Sequence, residues 1–346
     1  MDISLFDYHL PKELIAQHPP AKRGQSKLLV YDRHSHLVRH TKFPSLLEYL
    51  KPGDALVVNN TKVFKARIWG ERKTGGAVEV FLVRPVANSS EDDWEALVSP
   101  TRRLKAGETI FFDPKSVVHL VEYIDNGRWV VRFDSPSARK RIVRAFGHVP
   151  LPKYIYREDA PEDVRKYQTV FANSEKEGAV AAPTAGFHFT RALLDEIERS
   201  GVSILEVTLH VGPGTFKPVK CDRIEDHIVD PEMAEVTSDT ARKLNSIRSK
   251  GGKIVAVGTT SVRTLESTVS PKGEFSPMAG LVNLYIKPGY RFQAVDHMVT
   301  NFHLPKSSLL ILISALIGRE KVMELYAEAI ANQYRFYSYG DAMLIL

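Results

Sequence analysis

Residues 182–216 constrain the fold more than any other stretch, because they read as a loop, a helix, a strand and a second loop. Thr190 is a suitable helix N-cap and Gly201 a suitable stop, and apolar residues recur three and four positions apart between them. The β-branched and aliphatic run 202–211 predicts a buried strand. A helix followed by a buried strand predicts a unit of an α/β domain.

A histidine stands beside small residues at each end of this unit. His188 follows Gly186, and His210 precedes the small residues 212–215. Glycines let a ligand approach the main chain, and imidazoles exchange protons near neutral pH. The two ends together predict half of an active site.

The chain of 346 residues has the composition of a soluble protein, with 43% hydrophobic and 25% charged residues. Its single cysteine, Cys221, excludes an internal disulfide and a thiolate zinc cluster, and favours a cytoplasmic location. The N-terminus shows no secretory signal pattern, and the longest apolar run, 309–317, is too short to cross a bilayer. The net charge of +6 and the pI near 9.1 favour an acidic partner, nucleic acid first.

Residues 63–149 differ in sequence pattern from the rest of the chain. The pairs 75–76 and 126–127 are good tight-hairpin turns, and no long helix is predicted before 138–146. Six short β-branched and aromatic runs lie between turn residues at 66–69, 78–83, 94–98, 109–112, 117–124 and 129–133. They predict a small antiparallel barrel or sandwich.

The flanking segments alternate helices and strands. The predicted helices lie at 12–17 and 45–50, from 237 or 238 to 250, from 258 through 266, and from 307 onward with a break at 318. The predicted strands lie at 27–32, 55–58, 254–257 and 281–286. The predicted fold class is an α/β large domain, residues 1–62 plus 150–346, with an inserted small antiparallel β-barrel-like domain, residues 63–149.

Two segments place polar residues just before predicted helices. Thr259 and Thr260 lie where a strand meets a helix N-terminus, which suits an anion or ribose hydroxyls, although an ordinary cap is the better explanation for the segment alone. Asn301, His303 and Lys306 precede a buried helix, and the alternative is that they only start it. No phosphate-binding loop or dinucleotide fingerprint is present, so a usual methyltransferase or dehydrogenase site lacks support.

The C-terminal tail 336–341 is aromatic and carries one carboxylate. Tyr339 can stack on a base and Asp341 can bind an exocyclic amine or a ribose hydroxyl, whereas the usual role of such a tail is packing. Five histidines lie after residue 150 without the helical spacing of a zinc site, so no metal site is expected.

Polar and basic residues form three clusters around the β-rich segment. Each cluster is either a solvated face or part of one surface that follows RNA phosphates. The clusters are Asn59, Asn60, Lys62, Lys65 and Arg67; Arg102, Arg103 and Lys105; and Arg139, Lys140, Arg141 and Arg144. The residues alone therefore predict an α/β enzyme with a nucleotide-like ligand and an RNA partner.

Several ordered motifs resemble one known family. They are APTAGFHFT (182–190), LHVGPGTFKPV (209–219), VGTTSVRTLE (257–266), PGYRFQAVDHMVTNFHLPKSS (288–308) and FYSYGDAMLI (336–345), preceded by LIAQHP (14–19) and VVNNTKVFKARI (57–68). Together they resemble the S-adenosylmethionine:tRNA ribosyltransferase-isomerases of queuosine biosynthesis. The resemblance runs nearly from end to end.

The resemblance implies that S-adenosylmethionine, as a co-substrate and not a cofactor, donates its ribosyl group to the aminomethyl side chain of a 7-deazaguanine at the tRNA wobble position. Adenine and methionine leave, and the product is epoxyqueuosine. The resemblance also implies a large α/β domain with an inserted β domain. The expected partner is a tRNA with a GUN-type anticodon, and we expect a monomer.

This chemistry assigns expected roles to the motif residues. His188, His210 and His303 are the candidates for proton transfer, and Arg263 suits the methionine carboxylate. The residues expected to bind substrate are Thr184, Gly186, Gly212, Gly214, Thr215, Phe216, Thr259, Thr260, Arg263, Asn301, Tyr339 and Asp341. The residues expected to bind tRNA are Asn60, Lys62, Arg67, Arg102, Arg103 and Lys105.

The chain departs from the family pattern at two places. Family members often have a second histidine where this chain has Asp230, so Asp230 either serves as a base or is structural. Lys62 stands where arginine is commoner, which keeps the charge but loses the bidentate fork and favours a phosphate contact.

Two other functions remain as alternatives. One is a non-catalytic RNA-binding protein on this scaffold, which the histidine and glycine motifs argue against. The other is an α/β nucleosidase or glycosyl hydrolase that acts on a small adenosine compound without RNA, which the basic β insertion argues against.

Overall fold

The computed structural model describes residues 1–86, 89, 92–216 and 218–346, apart from the side chains of Thr215 and Phe216. Within these residues the backbone forms eighteen strands. In chain order they are β1 Lys27–Tyr31, β2 Val38–Lys42, β3 Ala55–Asn59, β4 Lys62–Val63, β5 Arg67–Arg72, β6 Ala77–Pro85, β7 Asp93–Ser99, β8 Thr109–Asp113, β9 Ser116–Asp125, β10 Arg128–Arg132, β11 Gly147–His148, β12 Glu177–Ala179, β13 Ser203–Leu209, β14 Glu232–Val236, β15 Ile254–Val257, β16 Met278–Val282, β17 His297–Asn301 and β18 Ala342–Ile345.

The α-helices of the described chain are α1 Pro136–Phe146, α2 Asp163–Lys166, α3 Arg191–Arg199, α4 Ser238–Ser249, α5 Gly258–Thr268, α6 Ser308–Ile317 and α7 Arg319–Ala331. Four of them begin after a hydroxyl N-cap that accepts a hydrogen bond from a main-chain N–H three residues on. These caps are Ser135, Thr190, Thr237 and Ser307. Hydroxyl caps of this kind fix where each helix begins, which is why the sequence predicted these starts well.

Nine strands form a mixed sheet in the order β16-β14-β13-β3-β15-β17-β18-β1-β2. β13, β3, β15 and β17 run parallel at its centre, whereas β14 and β18 run antiparallel to β13 and β17. Every residue of β3, β15 and β18 is buried. Successive residues of β3, such as Val57 and Val58, belong to two hydrophobic clusters on opposite faces, as expected for a sheet that is covered on both sides.

The strands from β5 to β10 form a closed barrel. They pair antiparallel in the order β5-β6-β7-β10-β9-β8, and β8 pairs again with β5. Buried and partly exposed residues alternate along β6, where Val78, Val80 and Leu82 are fully buried. Ile142 of α1 joins the same hydrophobic core, and β11 pairs with β5. Closure removes the free strand edges of the barrel.

The structure confirms the fold class, an α/β large domain with an inserted small antiparallel β-barrel-like domain, and shows a barrel instead of a sandwich. The prediction of a strand at 281–286 is wrong in position. The strand is Met278–Val282, because its partner β14 begins at Glu232 opposite Val282. Short 3-10 turns, Lys12–Leu14 and Phe43–Tyr49, replace two predicted helices.

Four strands of the nine-stranded sheet, β2, β14, β17 and β18, were not predicted from the sequence. Each is four or five residues long, which is too short for the alternation of apolar and polar residues to distinguish a strand from a loop. Among the described residues, no helix combines the length and the apolar character that crossing a membrane requires.

Candidate active site

The carboxyl ends of the four parallel strands meet at one edge of the large sheet. This edge collects His210 after β13, Asn60 after β3, Gly258 after β15 and Asn301 at the end of β17. Because β14 runs antiparallel to β13 and β18 runs antiparallel to β17, they contribute their first residues to the same edge. Crevices outside the carboxyl ends of parallel strands are the usual ligand sites of α/β sheets.

Three clefts adjoin this edge. The central cleft, beyond β15 and β17, is lined by Thr260, Asn301 and His303 among others. The barrel-side cleft lies between the start of β14 and the β9–β10 hairpin, and Arg263 is part of its wall. The β18-side cleft is lined in part by His188 and the residues just before β18. Some of the predicted site residues are thus divided among three neighbouring clefts, whereas other described residues, such as Gly186, Gly212 and Asp341, line none of them.

The N-terminus of α5 faces the central cleft without a side-chain cap. Gly258, its first residue, has a φ of +84°, and Val257 before it offers no side-chain hydrogen bond. Thr259 and Thr260 line the cleft, and Thr260 Oγ1 is buried without a hydrogen-bond partner among the described residues. Unpaired main-chain N–H groups and a free hydroxyl attract the oxygen atoms of a ligand.

His303 lines the central cleft just after β17. Its Nε2 lies 2.8 Å from Thr300 Oγ1, which donates to the main-chain oxygen of Asn301 at 3.2 Å. These contacts assign the Nε2–H tautomer and leave Nδ1 to accept a proton. Desolvation lowers the pKa of His303 below its ordinary value, so the ring is neutral at pH 7.

A chain of hydrogen bonds holds His188 between the central and β18-side clefts. Nδ1 lies 2.8 Å from Ser26 Oγ, and Nε2 lies 3.2 Å from Nδ2 of Asn301. Because an amide nitrogen is a donor, Nε2 accepts and the ring proton is on Nδ1. Asn301 Oδ1 accepts a further hydrogen bond from Thr184 at 3.2 Å. Burial lowers the pKa of His188 to about 3, so the ring is neutral at pH 7. Both of its nitrogens form hydrogen bonds, one with Ser26 and the other with Asn301.

His210 is not part of this chain of hydrogen bonds. Its Nδ1 lies 2.8 Å from Thr61 Oγ1, and burial lowers its pKa. In the described part of the chain it lines none of the three clefts. Gly186 lies beside Thr184 but packs against the ring of Phe171. The structure therefore brings together His188, His303, Asn301 and Thr184, and leaves His210 apart from them.

Arg263 lies in the barrel-side cleft and not in the central cleft with Thr259. Its Nη1 forms an ion pair with Glu232, which also accepts a hydrogen bond from the main-chain N of Gly212 at 2.7 Å. Gly214 packs so closely on Asp230 that a Cβ at this position would lie 2.9 Å from Oδ2. The glycine-containing loop after β13 is thus attached to the segment that leads into β14.

The tail residues Tyr339 and Asp341 are both buried. Tyr339 stacks on Phe187, with ring centroids 5.8 Å apart, and lines the β18-side cleft. Asp341 accepts hydrogen bonds from the main-chain N–H groups of Lys27 and Arg335, each at 2.8 Å. Its carboxylate therefore connects β1 to the tail. This is a structural role, which the sequence analysis gave as the alternative to ligand binding.

The residues predicted to bind tRNA differ in exposure. Asn60 is buried, and its amide makes hydrogen bonds to Glu206 and Thr208. Lys62 and Arg67 form ion pairs with glutamates at 2.7 and 2.8 Å. Among the six residues predicted to bind tRNA, the exposed cations that enter no ion pair of the described chain are Arg102, Arg103 and Lys105, in the loop between β7 and β8. Lys140, Arg141 and Arg144 of the third cluster, on α1, are also exposed and enter no ion pair of the described chain.

Several residues of the site were missed by sequence reasoning. Ser26 is 162 positions from His188, and no local pattern indicates the contact. Thr61 lies inside a segment that carried the family resemblance, so a signal was present there, whereas Glu232 lies outside those segments. The predicted substrate-binding residues Thr215 and Phe216 have side chains outside the described residues. Within the described residues, no group of three or more His, Cys, Asp and Glu side chains is arranged to hold a metal ion.

A family model described as queuosine biosynthesis protein matches residues 3–345. The chain belongs to this family. Relatives named S-adenosylmethionine:tRNA ribosyltransferase-isomerase in Desulforamulus reducens and Aquifex aeolicus are 46% and 45% identical to it, over 100% of this chain and 100% of each relative. A third, from Syntrophomonas wolfei, is 48% identical over 99% of this chain and 97% of that relative.

The queuosine biosynthesis family also contains a solved structure of similar fold. The crystal structure of an S-adenosylmethionine tRNA ribosyltransferase from Thermotoga maritima is 36% identical, covers 99% of this chain and 100% of its own, and has a TM-score of 0.56. The resemblance inferred from the motifs is confirmed, and with it the prediction that the chain is an enzyme.

Proposed function

We propose that this member of the queuosine biosynthesis family transfers the ribosyl group of S-adenosylmethionine to the aminomethyl side chain of a 7-deazaguanine at the tRNA wobble position and isomerises it to epoxyqueuosine. Adenine and methionine are the other products. The observation that carries the proposal is the central cleft, where the uncapped N-terminus of α5 and a neutral His303 line one cavity. No cofactor beyond this co-substrate takes part.

The nucleoside part of S-adenosylmethionine binds in the central cleft. Thr259 and Thr260 bind the ribose hydroxyls, which supplies the partner that Thr260 Oγ1 lacks. Tyr154 and Tyr337 contact each other on the cleft wall, with ring centroids 4.7 Å apart, and offer an aromatic surface for the adenine. Thr184 and Asn301 hold the other wall through their mutual hydrogen bond.

His303 transfers the proton that starts the reaction. A sulfonium acidifies the neighbouring C5′–H, and Nδ1 of a neutral imidazole on the cleft wall accepts that proton. The bond to adenine breaks and the base leaves with a proton, the substrate amine bonds to a ribosyl carbon and loses a proton, and the C5′ carbanion closes the five-membered carbon ring. A sugar oxygen then bonds to C5′ to form the epoxide, which breaks the C5′–sulfur bond and releases methionine. His188 positions Asn301, and His210 beside Thr61 is a candidate for a second proton transfer.

The tRNA approaches from the side of the barrel. Arg102, Arg103 and Lys105 contact backbone phosphates of an anticodon arm with a GUN-type anticodon, because they are exposed cations without carboxylate partners in the described chain. The same arm then presents the modified base to the central cleft. The protein acts as a monomer.

Adenine release tests the proposed function. The protein is incubated with S-adenosylmethionine alone, with tRNA that has guanine at the wobble position, and with tRNA that carries the aminomethyl-deazaguanine precursor. We expect adenine only with the precursor tRNA, because only this RNA supplies the amine. Adenine without any RNA would indicate a nucleosidase, and no adenine under any condition would indicate a non-catalytic RNA-binding protein.

A further inference from the structure

The barrel-side cleft, of about 480 Å³, is lined by side chains of both charges. Arg128 comes from the β9–β10 hairpin and Arg263 from α5, whereas Asp230 and Glu232 lie at the start of β14. Arg128 Nη1 lies 3.7 Å from Asp230 Oδ1, and Arg263 pairs with Glu232. A cleft that presents cations and carboxylates side by side is complementary to a zwitterion.

Two donors in this cleft have no hydrogen-bond partner among the described residues. Arg263 is 9% exposed; its Nε donates to Leu284 and its Nη1 to Glu232, but its Nη2 is buried and unpaired. Tyr285 Oη is also buried and unpaired, and burial raises the pKa of this phenol, which therefore keeps its proton. Buried donors in native proteins are usually paired, so these two indicate a missing acceptor.

The barrel-side cleft adjoins the central cleft. Leu309 lines both of them, and Ile286 and Leu312 add apolar surface on the barrel side. A nucleoside in the central cleft can therefore extend past Leu309, where methylene groups lie against an apolar wall before they reach the charged end.

We propose that the barrel-side cleft binds the amino-acid end of S-adenosylmethionine. The carboxylate accepts hydrogen bonds from Arg263 Nη2 and Tyr285 Oη, the ammonium group lies at Asp230, and the methylene chain packs on Leu309. The inference rests on the proposed function and extends it. It makes Tyr285 and Asp230 substrate-binding residues and brings Arg128 of the barrel into the wall of the site.

Calorimetric titration with two ligands tests this assignment. Decarboxylated S-adenosylmethionine keeps the sulfonium and the ammonium but lacks the carboxylate. We expect Tyr285→Phe to weaken S-adenosylmethionine binding about tenfold, because one hydrogen bond to a charged group is lost, and to leave binding of the decarboxylated ligand unchanged. Tyr290→Phe is the matched control, since its phenol donates to Glu266 outside the three clefts.

Arg263→Lys provides a second variant, which keeps the charge but removes Nη2. We expect it to weaken binding of S-adenosylmethionine and to leave binding of the decarboxylated ligand unchanged. Wild-type affinity of Tyr285→Phe for S-adenosylmethionine would overturn the assignment, as would an equal loss for both ligands. Adenine release by the wild type with precursor tRNA is measured in parallel. If release is normal while Tyr285→Phe binds like the wild type, only the carboxylate assignment fails; if the wild type releases no adenine, the proposed function fails.

Discussion

Three histidines were predicted to transfer protons, and their hydrogen bonds determine which of them has a ring nitrogen available to accept a proton. His188 uses both ring nitrogens, with Ser26 and Asn301, and is 2% exposed. His303 uses Nε2 with Thr300 and keeps Nδ1 for a proton on the wall of the central cleft. A base needs both a free lone pair and access to the substrate, so His303 is the best placed of the three.

Replacement of His303 by alanine is expected to lower kcat for adenine release by at least about a hundredfold, as loss of a general base does. The affinity for S-adenosylmethionine changes little, because the imidazole acts on the reacting carbon and not on the bound ends of the ligand. Single-turnover assays and calorimetry measure the two quantities. His148→Ala is the control, since this exposed ring bonds only to Asp159 among the contacts described. Unchanged kcat in His303→Ala would remove this residue from the mechanism.

His188 also predicts a pH dependence of stability. Its pKa is about 3 in the folded protein against an ordinary value of 6.5. Between pH 7 and pH 5 the unfolded chain binds a proton that the folded chain does not, so this residue lowers the free energy of unfolding by about 2 kcal/mol. In His188→Gln this contribution is absent.

Urea unfolding at pH 7 and pH 5 checks this prediction, because each protein serves as its own reference. The decrease in the free energy of unfolding between the two pH values should be about 2 kcal/mol smaller in His188→Gln than in the wild type. Equal decreases in both proteins would show that the folded protein protonates His188 readily.

At the scale of elements, predictions from sequence succeeded where the signal was local. Helices with hydroxyl caps were placed within about two residues, and the motif residues Thr260, Asn301 and His303 do line one cleft. Predictions failed where the structure depends on distant partners. β18 was missed because four buried residues become a strand only by pairing with β1 and β17, and β1 lies near the other end of the chain.

The same limit applied to the candidate site. Thr259 and Arg263 are four residues apart on α5, and no local pattern indicates that they line different clefts. Arg263 lies in the barrel-side cleft because Glu232, from β14, pairs with it there. The contact between Ser26 and His188 is equally non-local. The motifs therefore predicted candidate residues, but only the topology shows which cleft each one lines.

Thr260→Val, at the N-terminus of α5, is expected to weaken S-adenosylmethionine binding while leaving the stability of the protein nearly unchanged. The substitution removes a buried hydroxyl without a partner in the described chain, so the free energy of unfolding should change by less than about 1 kcal/mol. S-adenosylmethionine binding should weaken about tenfold, because a hydrogen bond to the ligand is lost. Thermal unfolding and calorimetric titration measure the two effects.

Thr264→Val is the control for this experiment, since the Thr264 hydroxyl donates to the main chain of Thr260 within the helix. It should leave binding unchanged. If Thr260→Val bound S-adenosylmethionine as tightly as Thr264→Val, the N-terminus of α5 would not be the ribose site.

At the scale of the whole molecule, a closed barrel lies beside the edge of the mixed sheet where the three clefts open. The β9–β10 hairpin of the barrel lines a cleft together with residues of the large sheet, and Arg84 donates to the main-chain oxygen of Pro231 at 2.7 Å. The loop between β7 and β8 carries exposed cations. The barrel therefore has one contact region with the barrel-side cleft and a separate loop of exposed cations, which is the surface proposed to bind RNA.

Alanine substitution of Arg102, Arg103 and Lys105 together is expected to weaken tRNA binding without changing S-adenosylmethionine binding. The slope of log affinity against log salt concentration should decrease by about 2 to 3, since each phosphate contact releases counterions. Titrations of labelled tRNA at several salt concentrations measure the slope. The matched control replaces three exposed cations on β2 and just before β3 that likewise enter no ion pair of the described chain, Arg39, Lys42 and Lys51. An equal effect of both triple variants would mean that the barrel loop has no special role.

A crystal structure of the protein with S-adenosylmethionine bound tests the central claim most directly. We expect the ribose within the central cleft, with a hydroxyl oxygen within about 3.2 Å of Thr260 Oγ1 and the sulfonium carbon facing His303. A nucleoside bound in the β18-side cleft, or elsewhere on the surface, would contradict the account.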